Sequence, residues 1–244
     1  MNFEIININN TQKFSIERKT FACVKVSFEK NKDEEFLNKV ILEAQETSTK
    51  VNKKGANTSI ARIEGQILID NLMGIISECA CVWVINNLLE CDFLKRNCST
   101  SSIDQIDITS ITNKNIEVRS SGVRNGIEFA LFCKNKDNIQ DIDVLGPYIN
   151  SYKKAEAERD LYLRVVYPFD YREIECTVES LLGMSFYITG GATKEMMNDP
   201  TLYYIKDMKT PGSRIAQNTQ YKVIPIGKSY DIKELICFIK NNWL

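Results

Sequence analysis

An apolar stripe through Ile60, Ile63, Ile67, Leu68, Ile75, Val82 and Ile85 marks one long helix. A helix of that length leaves water only by laying its stripe on a layer of other elements. Asn57, Thr58 or Ser59 is placed to cap it. Glu64 falls inside the stripe, four residues after Ile60 and three and four before Ile67 and Leu68. The pattern therefore predicts a carboxylate aimed at the core, where an unpaired charge is costly and calls for a partner. Glu78 lies two heptads further along a similar line, past Gly74, where a helix can bend.

The layer beneath is expected to be a sheet. Residues 3–8 and 21–28 read as strands, the second from its alternation. Asp33-Glu34-Glu35 opens a helix to about residue 47, its acids favoured by the helix dipole, and a polar, basic loop follows over 48–57. After a turn-rich segment at 97–102, Ile106 to Ile111 alternates, turns at Asn113-Lys114-Asn115 and returns as Ile116 to Ser120, which is a hairpin. Further strands are expected at 127–133, 161–167, 184–189 and 221–226, and helices at 172–182, 193–198 and 231–241. Gly190-Gly191 reads as a turn between strand and helix. No repeat or linker divides the 244 residues, so one domain is expected over 1–244, with 134–244 completing the sheet.

The chain has no histidine, the usual general base near neutral pH and the usual zinc ligand. Ser-His-Asp and Cys-His hydrolases, zincins and histidine-dependent nucleases are excluded together. Net charge is -1, so no overall positive field draws the protein to nucleic acid or acidic lipid, and such contacts need a local patch. The eight cysteines form no CxxC pair and sit mostly in apolar runs, as small hydrophobes of a reducing compartment. A cluster on Cys79, Cys81, Cys91 and Cys98 is disfavoured because residues 79 and 81 lie on different sides of a helix. No apolar run approaching a membrane span is expected, and the expected location is cytoplasmic.

Three acids and a cation remain as the chemistry-bearing set: Glu64 on the helix, Asp107 on one hairpin strand, and Glu117 and Arg119 on the other. Residues two apart on a strand share a face, so Glu117 and Arg119 project together. Several carboxylates converging from a helix and two strands supply the hard oxygen ligands a divalent ion takes, without histidine. The alternative is that Asp107, Glu117 and Arg119 are the solvent-facing residues of alternating strands.

These residues resemble the PD-(D/E)xK, or restriction-endonuclease-like, nucleases, in which an acid on a first helix precedes an Asp on one hairpin strand and Glu-x-Lys on the next. Ile116-Glu117-Val118-Arg119-Ser120-Ser121 is similar to the Ile-Glu-Val-Lys-Ser-Ser form of that motif, and the likeness covers about residues 57–133. The resemblance implies an α/β fold with a mixed central sheet flanked by helices and C-terminal elaborations. It implies Glu64, Asp107 and Glu117 as ligands of Mg2+, with Mn2+ as a substitute, and Asp107, Glu117 and Arg119 as catalytic residues. It further implies double-stranded DNA as substrate, hydrolysis of its phosphodiester bonds, and a sequence-specific type II restriction enzyme working as a homodimer. The chain departs from the pattern at Arg119, where the family has Lys. Guanidinium stays protonated, so it cannot act as a base, though it can orient water and neutralise phosphate charge. Asp104 is the alternative first acid. A same-fold nuclease of phage defence or repair, and a catalytically degenerate DNA-binding protein, are the rival readings.

The second half adds weaker signals. Lys153, Lys154, Arg159, Arg164 and Arg172 with Tyr152 and Tyr162 are placed to line a DNA groove or, with the interleaved Glu156, Glu158 and Asp160, a solvated face. Amides near Thr189 to Thr193 could meet a phosphate or form a plain turn. The polar run Arg214 to Lys222 carries side chains that can read base edges.

Overall fold

The computed structural model describes residues 1–9, 20–50, 64–97, 106–122, 142–149, 159–170, 174–208 and 219–244. The expected strand at 127–133, most of the basic loop, the caps at 57–59, Asp104, Tyr152, Lys153, Lys154, Arg172 and the start of the 214–222 run lie outside these residues.

Ten strands and five helices are described. The strands are β1 (Asn2–Asn9), β2 (Thr20–Ser27), β3 (Leu94–Arg96), β4 (Ile108–Ser110), β5 (Asn115–Ser121), β6 (Asp143–Tyr148), β7 (Leu161–Val166), β8 (Ser185–Thr193), β9 (Tyr204–Met208) and β10 (Thr219–Pro225). The helices are α1 (Glu34–Ser48), α2 (Glu64–Leu89), α3 (Val178–Leu182), α4 (Lys194–Asn198) and α5 (Ile232–Asn242). Seven strands form a mixed sheet in the order β1-β2-β8-β7-β5-β4-β3, in which only β5 and β7 pair in parallel. A second sheet runs β6-β10-β9. The expected mixed α/β sheet flanked by helices is therefore present.

Alternation along the strands separates two faces. Ala22, Val24, Val26, Ile116, Leu161, Leu163, Val165, Phe186 and Ile188 enter one core with residues of α1, α2 and α5. Phe21, Cys23 and Val166 pack instead with Leu145, Tyr221 and Val223 of the small sheet. The molecule thus has a helical layer, the large sheet, and the small sheet behind it, as period-two side chains require when both faces are covered.

α2 runs unbroken through Gly74, about 39 Å at 1.5 Å per residue. Its buried residues begin at Ile67 and become dense from Leu72 to Leu89. Contrary to the expectation from sequence, this helix is long and apolar enough to cross a membrane by length and composition; here it is a core helix packed on α1 and β5. Tyr167, at the end of β7, fixes its level: the buried hydroxyl donates to the Met73 carbonyl at 3.0 Å and lies 2.9 Å from Ser77 Oγ. At the other end of the chain, Asp231 caps α5 through a capping box with Glu234, and its second oxygen accepts the Ala22 amide of β2 at 3.1 Å.

Gly190-Gly191 is not a turn. Both lie inside β8, which bulges against β7 between Leu163 and Val165 while Gly191 also pairs with Tyr230. Gly190 has φ +102°, and a Cβ there would strike the Tyr230 carbonyl; a Cβ on Gly191 would strike that of Tyr162. Glycine is required because two backbones crowd this strand, not because the chain reverses. Three strands escaped sequence reading: β3 has three residues, β6 contains Gly146 and Pro147, and β9 lies close to Pro200 and Pro211.

Candidate active site

The hairpin forms as expected, with register Ile108 to Ile116 and a positive φ at Asn113 in its turn. Pairing stops at Ile108, and one residue before it Asp107 turns its carboxyl inward: Oδ2 accepts the Val118 amide at 2.8 Å, and the residue is 8% exposed. A side chain has replaced the next rung of the ladder. Across from it on β5, Glu117 is also 8% exposed, and its two oxygens are divided between two arginines. Arg119 Nη2 lies 3.1 Å from Oε1, and Arg159 Nε donates to Oε2 at 2.9 Å. Residues two apart on a strand do share a face, and Glu117 and Arg119 share an ion pair.

The helix acid is not where the spacing placed it. Glu64 opens α2 and is exposed. The stripe phase is right and its level is wrong: the first turn of a long helix lies beyond the dense part of the core, so a residue on the core line there still meets solvent. Fourteen residues later the same line is covered, and Glu78 is buried at 9% exposure. Its Oε2 accepts from Arg96 Nε at 2.6 Å. Arg96, on β3, also donates from Nη1 to Glu43 Oε2 at 2.9 Å and reaches Glu43 Oε1 at 2.7 Å from Nη2. Glu43, on α1, is the second acid of an acid-arginine-acid bridge from α1 through the sheet edge to α2.

The charges of Glu117 and Glu78 both bear on Asp107, and that of Glu117 bears on Glu78. Burial, offset by Arg96 and reinforced by Glu43 and Glu117, pushes the Glu78 carboxyl up to about 7. Burial, then the charges of Glu117 and Glu78, hold the Asp107 carboxyl well above the usual carboxylate range. Like charges collected in a poorly solvated place are the electrostatic condition a cation relieves. The donor chemistry suits Mg2+ or Mn2+, all oxygen and no sulfur or nitrogen. In the present arrangement, however, no three acidic groups among the described residues lie close enough to share one ion. Glu78 is turned to Arg96, and Glu117 is taken by Arg119 and Arg159.

Arg159 is the residue that sequence reading misplaced. It is 4% exposed and belongs to this cluster, not to a surface groove. Tyr162, 4% exposed, and Arg164, fully buried, leave the expected groove as well. Arg164 donates to the Arg119 carbonyl at 3.0 Å and to Ser121 Oγ at 2.5 Å. Position in the sequence could have signalled this: Arg159 stands just before a strand buried along its whole length, where a charge needs an acid. Thr193 Oγ1 accepts the Met196 amide and caps the five-residue α4, and Gln220 to Lys222 lie within β10. No protein-family model, curated protein or solved structure matches the chain.

Proposed function

We propose that the protein is a Mg2+-dependent endodeoxyribonuclease of the restriction-endonuclease-like fold. The observation that supports this reading is the hairpin geometry: Asp107, beside one strand, accepts the Val118 amide between Glu117 and Arg119 of the next, both acids are buried, and the charge of the helix acid Glu78 bears on Asp107. Glu78 takes the helix position in place of Glu64.

A divalent ion bound here would polarise the phosphate and activate the attacking water. The chain's own residues supply the rest. Asp107 and Glu117 would hold the ion through their carboxylate oxygens, and Asp107 is aimed by the Val118 amide. Arg119, paired to Glu117 in the absence of substrate, offers a fixed positive charge to the phosphate, where it stabilises developing anionic charge. It does not accept a proton, so proton removal falls to solvent or to a substrate oxygen. Cutting both strands of a duplex suits a two-fold homodimer, and a sequence-specific type II restriction enzyme is the form we favour. Cysteines buried singly as packing residues, such as Cys23 and Cys81, suit the reducing cytoplasm.

A second reading, a degenerate DNA-binding protein, is favoured by the arginines that occupy both glutamates. Plasmid and phage DNA incubated with the protein and Mg2+ separates the two on a gel: discrete fragments support the restriction reading, a smear supports a non-specific nuclease, and intact DNA under Mg2+ and Mn2+ supports the degenerate one.

A further inference from the structure

The large sheet has two edges, and they differ. At β3 the edge is three residues long, and Asn86 of α2 closes it: the side-chain amide donates to the Leu94 carbonyl at 3.0 Å, while Oδ1 accepts the Leu94 N–H at 2.8 Å. At β1 the edge runs for eight residues, and no strand or side chain among the described residues takes that role. Asn2, Glu4, Ile5 and Asn7 are exposed, Ile5 by 39%. The devices that keep a bare edge from pairing are also missing from β1. It holds no proline, glycine, lysine or arginine, and its single charge, Glu4, meets Lys25 of β2 at 3.4 Å.

We propose that β1 pairs antiparallel with β1 of a second copy across a two-fold axis, joining two large sheets edge to edge. The backbone N–H and C=O groups on the outer side of β1 supply the attraction, and a two-fold uses the same strand from both sides. An axis normal to the sheet keeps the helical layers of both copies on one side, so each residue meets one of its own parity. Phe3, Ile5 and Asn7 share the helical side, opposite Val26, Val24 and Ala22 of β2. A register centred on Glu4 would set two carboxylates directly opposite each other, which is destabilising. Centred on Ile6, the exposed Ile5 would meet Asn7. Centred on Ile5, that side chain meets its own copy, while Phe3 meets Asn7 and Glu4 meets Ile6, so apolar contact is gained where Ile5 now faces water. A net charge of -1 sets up no long-range repulsion between copies. The proposal assigns a surface to self-association and rests on the sheet edge alone; it neither uses nor requires DNA cleavage.

Sedimentation velocity of the full chain between about 1 and 200 µM reads the association, with reductant present so that the exposed Cys91 and Cys237 do not cross-link. The wild type should pass from monomer to dimer and stop there, with a Kd on the order of 10 µM, as a small edge contact gives. Exchange of the β1 amides that face away from β2 should slow between the two ends of that range. Ile5→Lys sets two ammonium groups across the axis and should weaken the dimer at least about tenfold. Leu42→Lys, at an exposed position of α1 outside the edge, should shift it by less than about twofold.

A wild type that stays monomeric throughout overturns the proposal, as does a dimer that Ile5→Lys leaves unchanged. Growth past the dimer overturns it too, since a two-fold contact closes. If Ile5→Lys does not fold, exchange in the wild type decides: protection of β1 that rises with concentration supports the pairing, and its absence overturns it. DNA cleavage by a protein that stays monomeric overturns this proposal alone, whereas a β1 dimer that leaves DNA intact overturns only the nuclease reading.

Discussion

Arg119 and Arg164 are register partners on the parallel strands β5 and β7, and the fully buried Arg164 guanidinium donates to the Arg119 carbonyl at 3.0 Å. One arginine thereby anchors the backbone from which the other reaches Glu117. The motif cation starts from a fixed point, which is what charge stabilisation in a transition state requires. Arg119→Lys should retain measurable cleavage. Arg119→Ala should lose about 2–4 kcal/mol of transition-state stabilisation, roughly two to three orders of magnitude in rate, read by single-turnover kinetics. Cleavage by Arg119→Ala at the wild-type rate would remove Arg119 from the mechanism.

Exchanging the helix acids tests which one belongs to the site. Glu78→Gln should lower Mg2+-dependent cleavage by more than about tenfold while Arg96 keeps Glu43, since a ligand-level interaction is lost and no buried cation is abandoned. Glu64→Gln, at an exposed helix start, should leave the rate unchanged and stability within about 0.5 kcal/mol. Equal effects of the two substitutions would contradict the assignment.

The hairpin acids should differ in the sign of their effect on stability. Asp107 is repelled by Glu117 and Glu78, and Asn at this position keeps an oxygen for the Val118 amide. Asp107→Asn should therefore raise stability in EDTA at pH 8 by about 1 kcal/mol, roughly 2–4 °C in Tm. Glu117 balances Arg119 and Arg159, so Glu117→Gln should lower it by about 3 kcal/mol. Thermal unfolding of both variants supplies the check; a shift of the same sign in each would show that the charges are not arranged as described.

The pH dependence carries the same signature. Burial raises the Glu78 carboxyl from 4.5 to about 7. A raised folded value means that the native protein holds a proton the unfolded chain has released. The contribution is complete below pH 4.5 and is lost as pH rises through about 7. Metal-free Tm should fall across that window, Glu78→Gln should lack this component, and stabilisation by Mn2+ should grow as the proton leaves. Wild type and Glu78→Gln declining in parallel would refute the origin assigned to it.

Legibility in the sequence followed how local each cause was. The hairpin was readable because alternation and an Asn turn are short-range, and with it came Asp107, Glu117 and Arg119. The helix acid was misread because period 3.6 gives a phase but not the level at which a helix meets its sheet; Tyr167 against Ser77 and Met73, contributed from about 90 residues away, sets that level. Arg96 was invisible as a partner of buried acids, and Arg159 was expected in a surface groove, for the same reason, since their acids lie 18 and 42 residues distant in sequence. Gly190-Gly191 looked like a turn because glycine signals conformational freedom in either setting, and only the Tyr162 and Tyr230 backbones decide between them.

The central claim is that Asp107 and Glu117 are the working acids of a metal-dependent DNA hydrolase. Its most direct measurement is Mg2+-dependent cleavage of phage and plasmid DNA by the wild type beside Asp107→Asn and Glu117→Gln, with DNA retention in Ca2+ recorded in parallel. Discrete fragments are expected from the wild type, at least about a thousandfold loss in each variant, and DNA binding retained by all three proteins. Wild-type cleavage that persists in either variant would contradict it, as would a wild type that binds duplex DNA yet leaves it intact in both Mg2+ and Mn2+.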